Sequence, residues 1–115
     1  MIRDVIGLIH SLRLPLSDEK AYQAGLGKAL EEAGIGHVRE HRLAPGEILD
    51  FLLDDGTAIE VKLRGSARRI YAQCERYCGY PEVKGLLLAT NRAMGFPSEI
   101  QGKPTWYASL GRGWL

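Results

Sequence analysis

Apolar positions in this chain recur first at a helical period, then at a strand period, and the alternation lays out the elements. Tyr22, Leu26, Leu30 and Ala33 fall three or four residues apart, behind Ser17 or Asp18 as a cap and ahead of Gly34, which predicts a helix. Val5, Ile6, Ile9 and Leu12 predict a shorter amphipathic helix over residues 2–13, stopped by Pro15. From His37 to Leu43 the chain reads as a strand, turned by Ala44-Pro45-Gly46-Glu47, and strands at 47–53 and 57–63 complete a meander. Ser66 caps a second long helix running to Cys78 and ended by Gly79-Tyr80-Pro81. Residues 83–90, with Leu86-Leu87-Leu88 at the centre, have the continuous apolar character of a strand covered on both faces. A strand, helix and strand in succession predict a right-handed crossover, with 83–90 parallel to 57–63. Residues 91–104, carrying Gly95, Pro97, Gly102 and Pro104, read as a loop, and 105–110 as an edge strand.

The predicted class is α/β, one domain over residues 1–115, with the order helix, three antiparallel strands, helix, strand. The chain has 45% hydrophobic and 25% charged residues, ordinary for a globular domain and too apolar for a disordered one. No stretch approaches a membrane span and the first ten residues lack a signal-peptide pattern, so a cytoplasmic protein with no membrane partner is expected. Cys74 and Cys78 read as small apolar residues on a buried helix face. His10, His37 and His41 are too scattered to complete a zinc site.

Net charge is only +1, but its distribution is uneven. Between Val61 and Tyr77 stand Lys62, Arg64, Arg68, Arg69 and Arg76 against a single acid, Glu75, a pattern suited to tracking phosphates or to an ordinary solvated helix face. Asp54-Asp55-Gly56 makes a tight hairpin loop if Gly56 is left-handed. Leu53 then pairs with Thr57, and counting outward Asp50 faces Glu60. Alternation puts Lys62 on the Glu60 side, while Phe51, Leu53, Ile59 and Val61 point into a core. Two carboxylates and a lysine gathered among apolar residues suit a divalent cation; a plain Glu60–Lys62 surface pair is the alternative.

These residues resemble the PD-(D/E)XK nuclease superfamily, whose metal site uses an Asp followed on the next strand by acid-x-Lys, here Asp50 and Glu60-Val61-Lys62. Gln73-Cys74-Glu75-Arg76-Tyr77 matches the Gln-x-x-x-Tyr motif of its RecB-type branch, and the likeness spans about residues 17–90. Leu49 stands where the family's naming proline would be. The resemblance implies a restriction-endonuclease-like αβββαβ core, with a mixed central sheet flanked by helices. It implies hydrolysis of phosphodiester bonds in DNA, in replication, recombination or repair, with junction or flap substrates among the candidates. One or two Mg²⁺ or Mn²⁺ ions would be held by Asp50, Glu60 and the Val61 carbonyl. Glu19, preferred for its charge, Gln23 or Glu40 would complete that site. Lys62 would assist deprotonation of the attacking water or stabilise charge. Gln73 and Tyr77 would buttress the site or simply pack, and Arg64, Arg68, Arg69 and Arg76 would meet nucleic acid. The resemblance implies a homodimer, as in the archaeal Holliday-junction resolvases of this superfamily, or a module working beside a helicase or replication protein; virus-type replication-repair nucleases are a close relative, although Gln73 to Tyr77 fits the RecB-type motif better. The rival reading is a catalytically inactive nucleic-acid-binding or assembly protein on the same fold. Trp106, Tyr107 and Trp114 read as aromatics that close the core or stack on bases.

Overall fold

A computed structural model describes residues 1–111; Trp114 lies outside them. The elements run α1 (Ile2–Ser11), α2 (Glu19–Glu32), β1 (His37–Ala44), β2 (Glu47–Leu53), β3 (Thr57–Lys62), α3 (Ala67–Cys78), β4 (Gly85–Thr90), β5 (Glu99–Ile100) and β6 (Lys103–Ser109). Among the described residues the strands form one mixed six-stranded sheet in the order β1-β2-β3-β4-β6-β5, with three helices, an α/β arrangement. No described helix is long and apolar enough to cross a membrane.

The caps explain where the helices start. Asp18 accepts a hydrogen bond from the Ala21 amide at the head of α2, and Ser66 accepts from the Arg69 amide at the head of α3. Each satisfies one of the N–H groups that a helix leaves unpaired at its start. Two apolar clusters cover the two faces of the sheet. Val5, Ile9, Leu26 and Leu30 of α1 and α2 pack on Phe51, Leu53, Ile59 and Val61. On the other face Ile70, Cys74 and Tyr77 of α3 pack on Leu49, Ala58, Leu86 and Leu88. Every residue of β4 is buried, as its unbroken apolar run predicts, and β4 lies parallel to β3 with Thr57 opposite Gly85 and Lys62 opposite Thr90. Cys74 and Cys78 are free thiols, both buried.

The hairpin register is the one counted from the turn: Phe51 pairs with Ile59 and Leu52 with Ala58. Gly56 has φ +91° and takes the left-handed position, and its carbonyl accepts from the Lys84 amide at 2.8 Å. A Cβ at Gly56 would stand 3.0 Å from the Lys84 Cβ and closer still to its Cγ. Gly56→Ala is therefore expected to cost about 1–2 kcal/mol, through the φ alone and then the displaced Lys84 stem, read as a lower urea midpoint. A variant as stable as the wild type would show that this turn is not held as described.

Two expectations are corrected at the C-terminal end. The last long strand is not an edge: β6 sits inside the sheet, parallel to β4, with Leu86 opposite Thr105 and Thr90 opposite Ser109. The stretch expected to be all loop contains the two-residue edge strand β5, which pairs with Lys103 and Pro104 of β6. Strand order depends on which neighbour a returning chain meets, and no local pattern encodes that.

Candidate active site

Asp50 lies where the sheet loosens on both sides. Between β2 and β3 the paired residues stop at Phe51 and Ile59, although the register would next place Asp50 opposite Glu60. Between β1 and β2 the pairs Arg39–Phe51 and His41–Leu49 flank a position where Glu40 would meet Asp50. Glu40 instead has φ +56°, left-handed backbone that a glutamate adopts only at a cost. The irregularity also turns β2: Leu49 and Phe51, two apart, lie in the clusters on opposite faces of the sheet.

Side chains replace the missing ladder. The Asp50 amide donates to Glu60 Oε1 at 2.8 Å, and the Val61 amide donates to Asp50 Oδ2 at 2.7 Å. Each carboxylate thus binds backbone of the opposite strand, leaving Asp50 Oδ1 and Glu60 Oε2 for other partners. Because a strand residue sends its N–H and C=O to the same side, the Val61 carbonyl faces the gap that β2 has left. Lys62 Nζ stands 3.7 Å from Glu60 Oε2, with the lysine mostly covered and Glu60 only 1% exposed.

Burial pushes both carboxyls above the ordinary range. For Glu60 desolvation leads, followed by the Asp50 charge, outweighing the Asp50 amide and Lys62. For Asp50 desolvation again leads, against the Val61 amide and Lys62. The pair is short of positive charge, and Lys62 alone does not supply it.

Glu19 opens α2 and reaches the end of β3, where its Oε1 accepts from the Leu63 amide at 2.9 Å. One turn further along, Gln23 is 1% exposed and its Oε1 has no hydrogen-bond partner among the described residues. Glu40, the third candidate, is exposed, and its carboxylate accepts from Lys20 Nζ at 2.9 Å. Among the described residues no three acidic, histidine or cysteine side chains gather closely enough to cage an ion by themselves. The oxygens at hand are two carboxylates and the Val61 carbonyl, with Glu19 of the adjoining helix near enough for its charge to act on both acids. This hard, anionic set, lacking enough cations of its own, fits a magnesium-type ion that keeps several waters.

On the α3 side Gln73 Nε2 donates to the Tyr77 hydroxyl at 3.0 Å, and that hydroxyl donates to the Ile48 carbonyl at 3.1 Å. Tyr77 is buried, so the Gln-x-x-x-Tyr pair braces α3 against β2 just before Asp50. Lys62, Arg64, Arg69, Gln73 and Arg76 line an open groove along the same helix. Arg76 is tied to Glu47 at 3.0 Å, whereas Arg64, Arg68 and Arg69 form no salt bridge with a described residue. Arg68 is exposed but outside the groove lining.

Sequence reasoning passed over Thr90. It is fully buried at the end of β4, and its hydroxyl donates to the Lys62 carbonyl at 2.6 Å while accepting from the Arg92 amide at 3.0 Å. The available signal was a polar residue closing an all-apolar strand paired with the lysine's own strand.

No family model matches the chain, and neither the curated proteins nor the solved structures yield a match.

Proposed function

We propose that this protein is a metal-dependent nuclease that hydrolyses phosphodiester bonds in DNA, built on a restriction-endonuclease-like core. The reading rests above all on the crossed pair of Asp50 and Glu60, each bonded to the other strand's backbone where the sheet opens, with Lys62 beside them. An ordinary exposed ion pair has no reason to break a hairpin ladder and desolvate two acids. The order α2-β1-β2-β3-α3-β4 agrees with the αβββαβ arrangement that the motifs imply.

Asp50 Oδ1, Glu60 Oε2 and the Val61 carbonyl would hold Mg²⁺ or Mn²⁺, with Glu19 Oε2 or Gln23 Oε1 completing the site through one or two ions. Such an ion supplies Lewis acidity and a more acidic bound water. Lys62 faces the same opening, where it orients the attacking water or offsets charge gathering on the phosphorus-bound oxygens. Arg64 and Arg69 hold the flanking phosphates in the groove, with Arg68 and the Glu47-steadied Arg76 beside them. Partners beyond DNA would be a second copy or a helicase or replication protein.

The test is incubation with linear, nicked, flapped and four-way-junction DNA in Mg²⁺, Mn²⁺ or EDTA. Metal-dependent cleavage lost in Asp50→Ala and Lys62→Ala supports the nuclease. Binding without cleavage on every substrate, unchanged in those variants, sinks it and leaves a binding or assembly protein. Gln73→Ala is expected to weaken cleavage about tenfold while lowering stability by less than about 1 kcal/mol, since Tyr77 keeps its bond to Ile48. Wild-type rates in that variant would remove Gln73 from the site.

A further inference from the structure

The peptide unit that follows Lys62 is gripped from both ends by side chains of distant elements. Its carbonyl, on Lys62, accepts from the Thr90 hydroxyl at 2.6 Å, and its N–H, on Leu63, donates to Glu19 Oε1 at 2.9 Å. Thr90 comes from β4 and Glu19 from the first turn of α2. Lys62 is the last residue of β3, and the chain then passes through the left-handed Gly65 into α3. Strand ends fray unless held, and here the ladder to β2 has already stopped at Ile59, so the end of β3 is held by β4, whose ladder closes on the Lys62–Thr90 pair.

We propose that Thr90 is a positioning residue for Lys62: its hydroxyl fixes the Lys62–Leu63 peptide, and so the direction in which the lysine leaves the strand toward Glu60. The geometry admits little slack. Thr90 is fully buried and its Oγ1 is engaged on both sides, donating to Lys62 and accepting from the Arg92 amide, so the hydroxyl proton has one destination. The chain beyond Thr90 is thereby tied to the lysine as well. Valine has nearly the same shape as threonine but no hydroxyl, and serine keeps the hydroxyl without the methyl.

The proposal rests on the nuclease reading only for its kinetic readout, and a second readout is independent of turnover. In cleavage assays, Thr90→Val is expected to lower kcat at least about tenfold with KM within about twofold of wild type, the range typical of residues that orient a reacting group. Thr90→Ser is expected to restore kcat. In the metal-free protein, NMR of the Lys62 side chain is expected to show its ε-methylene signals moving toward free-lysine values in Thr90→Val and staying at wild-type positions in Thr90→Ser. Wild-type kcat in Thr90→Val, a serine variant as impaired as the valine one, or a loss confined to KM overturns the proposal. So do unchanged Lys62 signals. If the wild type does not cleave DNA, the nuclease reading falls and the NMR comparison alone decides the role of Thr90. Should Thr90→Val fail to melt cooperatively, Thr90→Cys, with only a weak S–H donor, takes its place under the same criteria.

Discussion

Glu60→Gln is expected to abolish cleavage and, in the same stroke, to make the metal-free protein more resistant to heat at pH 8. The amide oxygen of glutamine can still accept from the Asp50 amide, so the crossed hydrogen bond to β2 survives. What disappears is a carboxylate that is 1% exposed and whose burial, together with Asp50, holds its pKa above the ordinary 4.5. In the folded protein Glu60 keeps its proton at pH values where the unfolded chain has lost it. The native state then binds more protons, and stability falls as pH rises from about 4.5 through neutrality. Removing the charge lifts that penalty: the gain should be absent near pH 4, grow with pH, and reach about 1–3 kcal/mol, or about 5 °C or more in melting temperature. Asp50, shifted the same way, leaves a smaller slope behind. Cleavage should fall by about a thousandfold or more, the several kcal/mol of charge stabilisation that a ligated ion supplies. Melting curves in EDTA between pH 4 and 8.5 check the stability half. A variant that melts below the wild type at pH 8 would mean Glu60 is held by its contacts and not penalised by burial.

Millimolar Mg²⁺ is expected to raise the melting temperature of the wild type, more at pH 8 than at pH 5, and to leave that of Asp50→Ala unmoved. Binding requires deprotonated carboxylates, so protons compete with the ion across the range where Asp50 and Glu60 titrate. An ion present at 100 times its dissociation constant stabilises by about 2.7 kcal/mol. Asp50→Ala starts from a lower baseline, because it strips the Val61 amide of its acceptor, so the comparison is of the Mg²⁺-induced shift within each protein. NaCl at matched ionic strength separates binding from screening. Equal Mg²⁺ shifts in the two proteins would remove Asp50 from the ligand set.

The site was legible in sequence as far as counting along a strand allows. Gly56 fixes the turn and the turn fixes the register, so Asp50 opposite Glu60 follows from three residues; the helix motif places Gln73 and Tyr77 on one face of α3. The opening of the sheet at Asp50 was not legible, because it depends on Glu40 taking left-handed backbone within β1 and on two carboxylates taking over backbone bonds. Both are outcomes of three strands meeting. Thr90 was hidden for a related reason: its partner on the sheet is set by the crossover, 28 residues away from Lys62. The interior place of β6 has the same origin. Glu19 and Gln23 share a helix face by spacing alone, yet only packing shows that the first reaches β3 and the second keeps an unpartnered oxygen.

The kink at Glu40 also bears on how these molecules meet one another. β1 is the outer strand at one end of the sheet, and an uninterrupted outer strand offers a row of free amides and carbonyls to any neighbouring chain. Here that row is broken midway by the left-handed residue and bordered by Arg39, His41 and Arg42. Each remaining stretch is too short and too charged to template a continuous intermolecular sheet. The distortion that frees Asp50 from its ladder thus also guards the protein against edge-to-edge aggregation, and straightening it would put both properties at risk together.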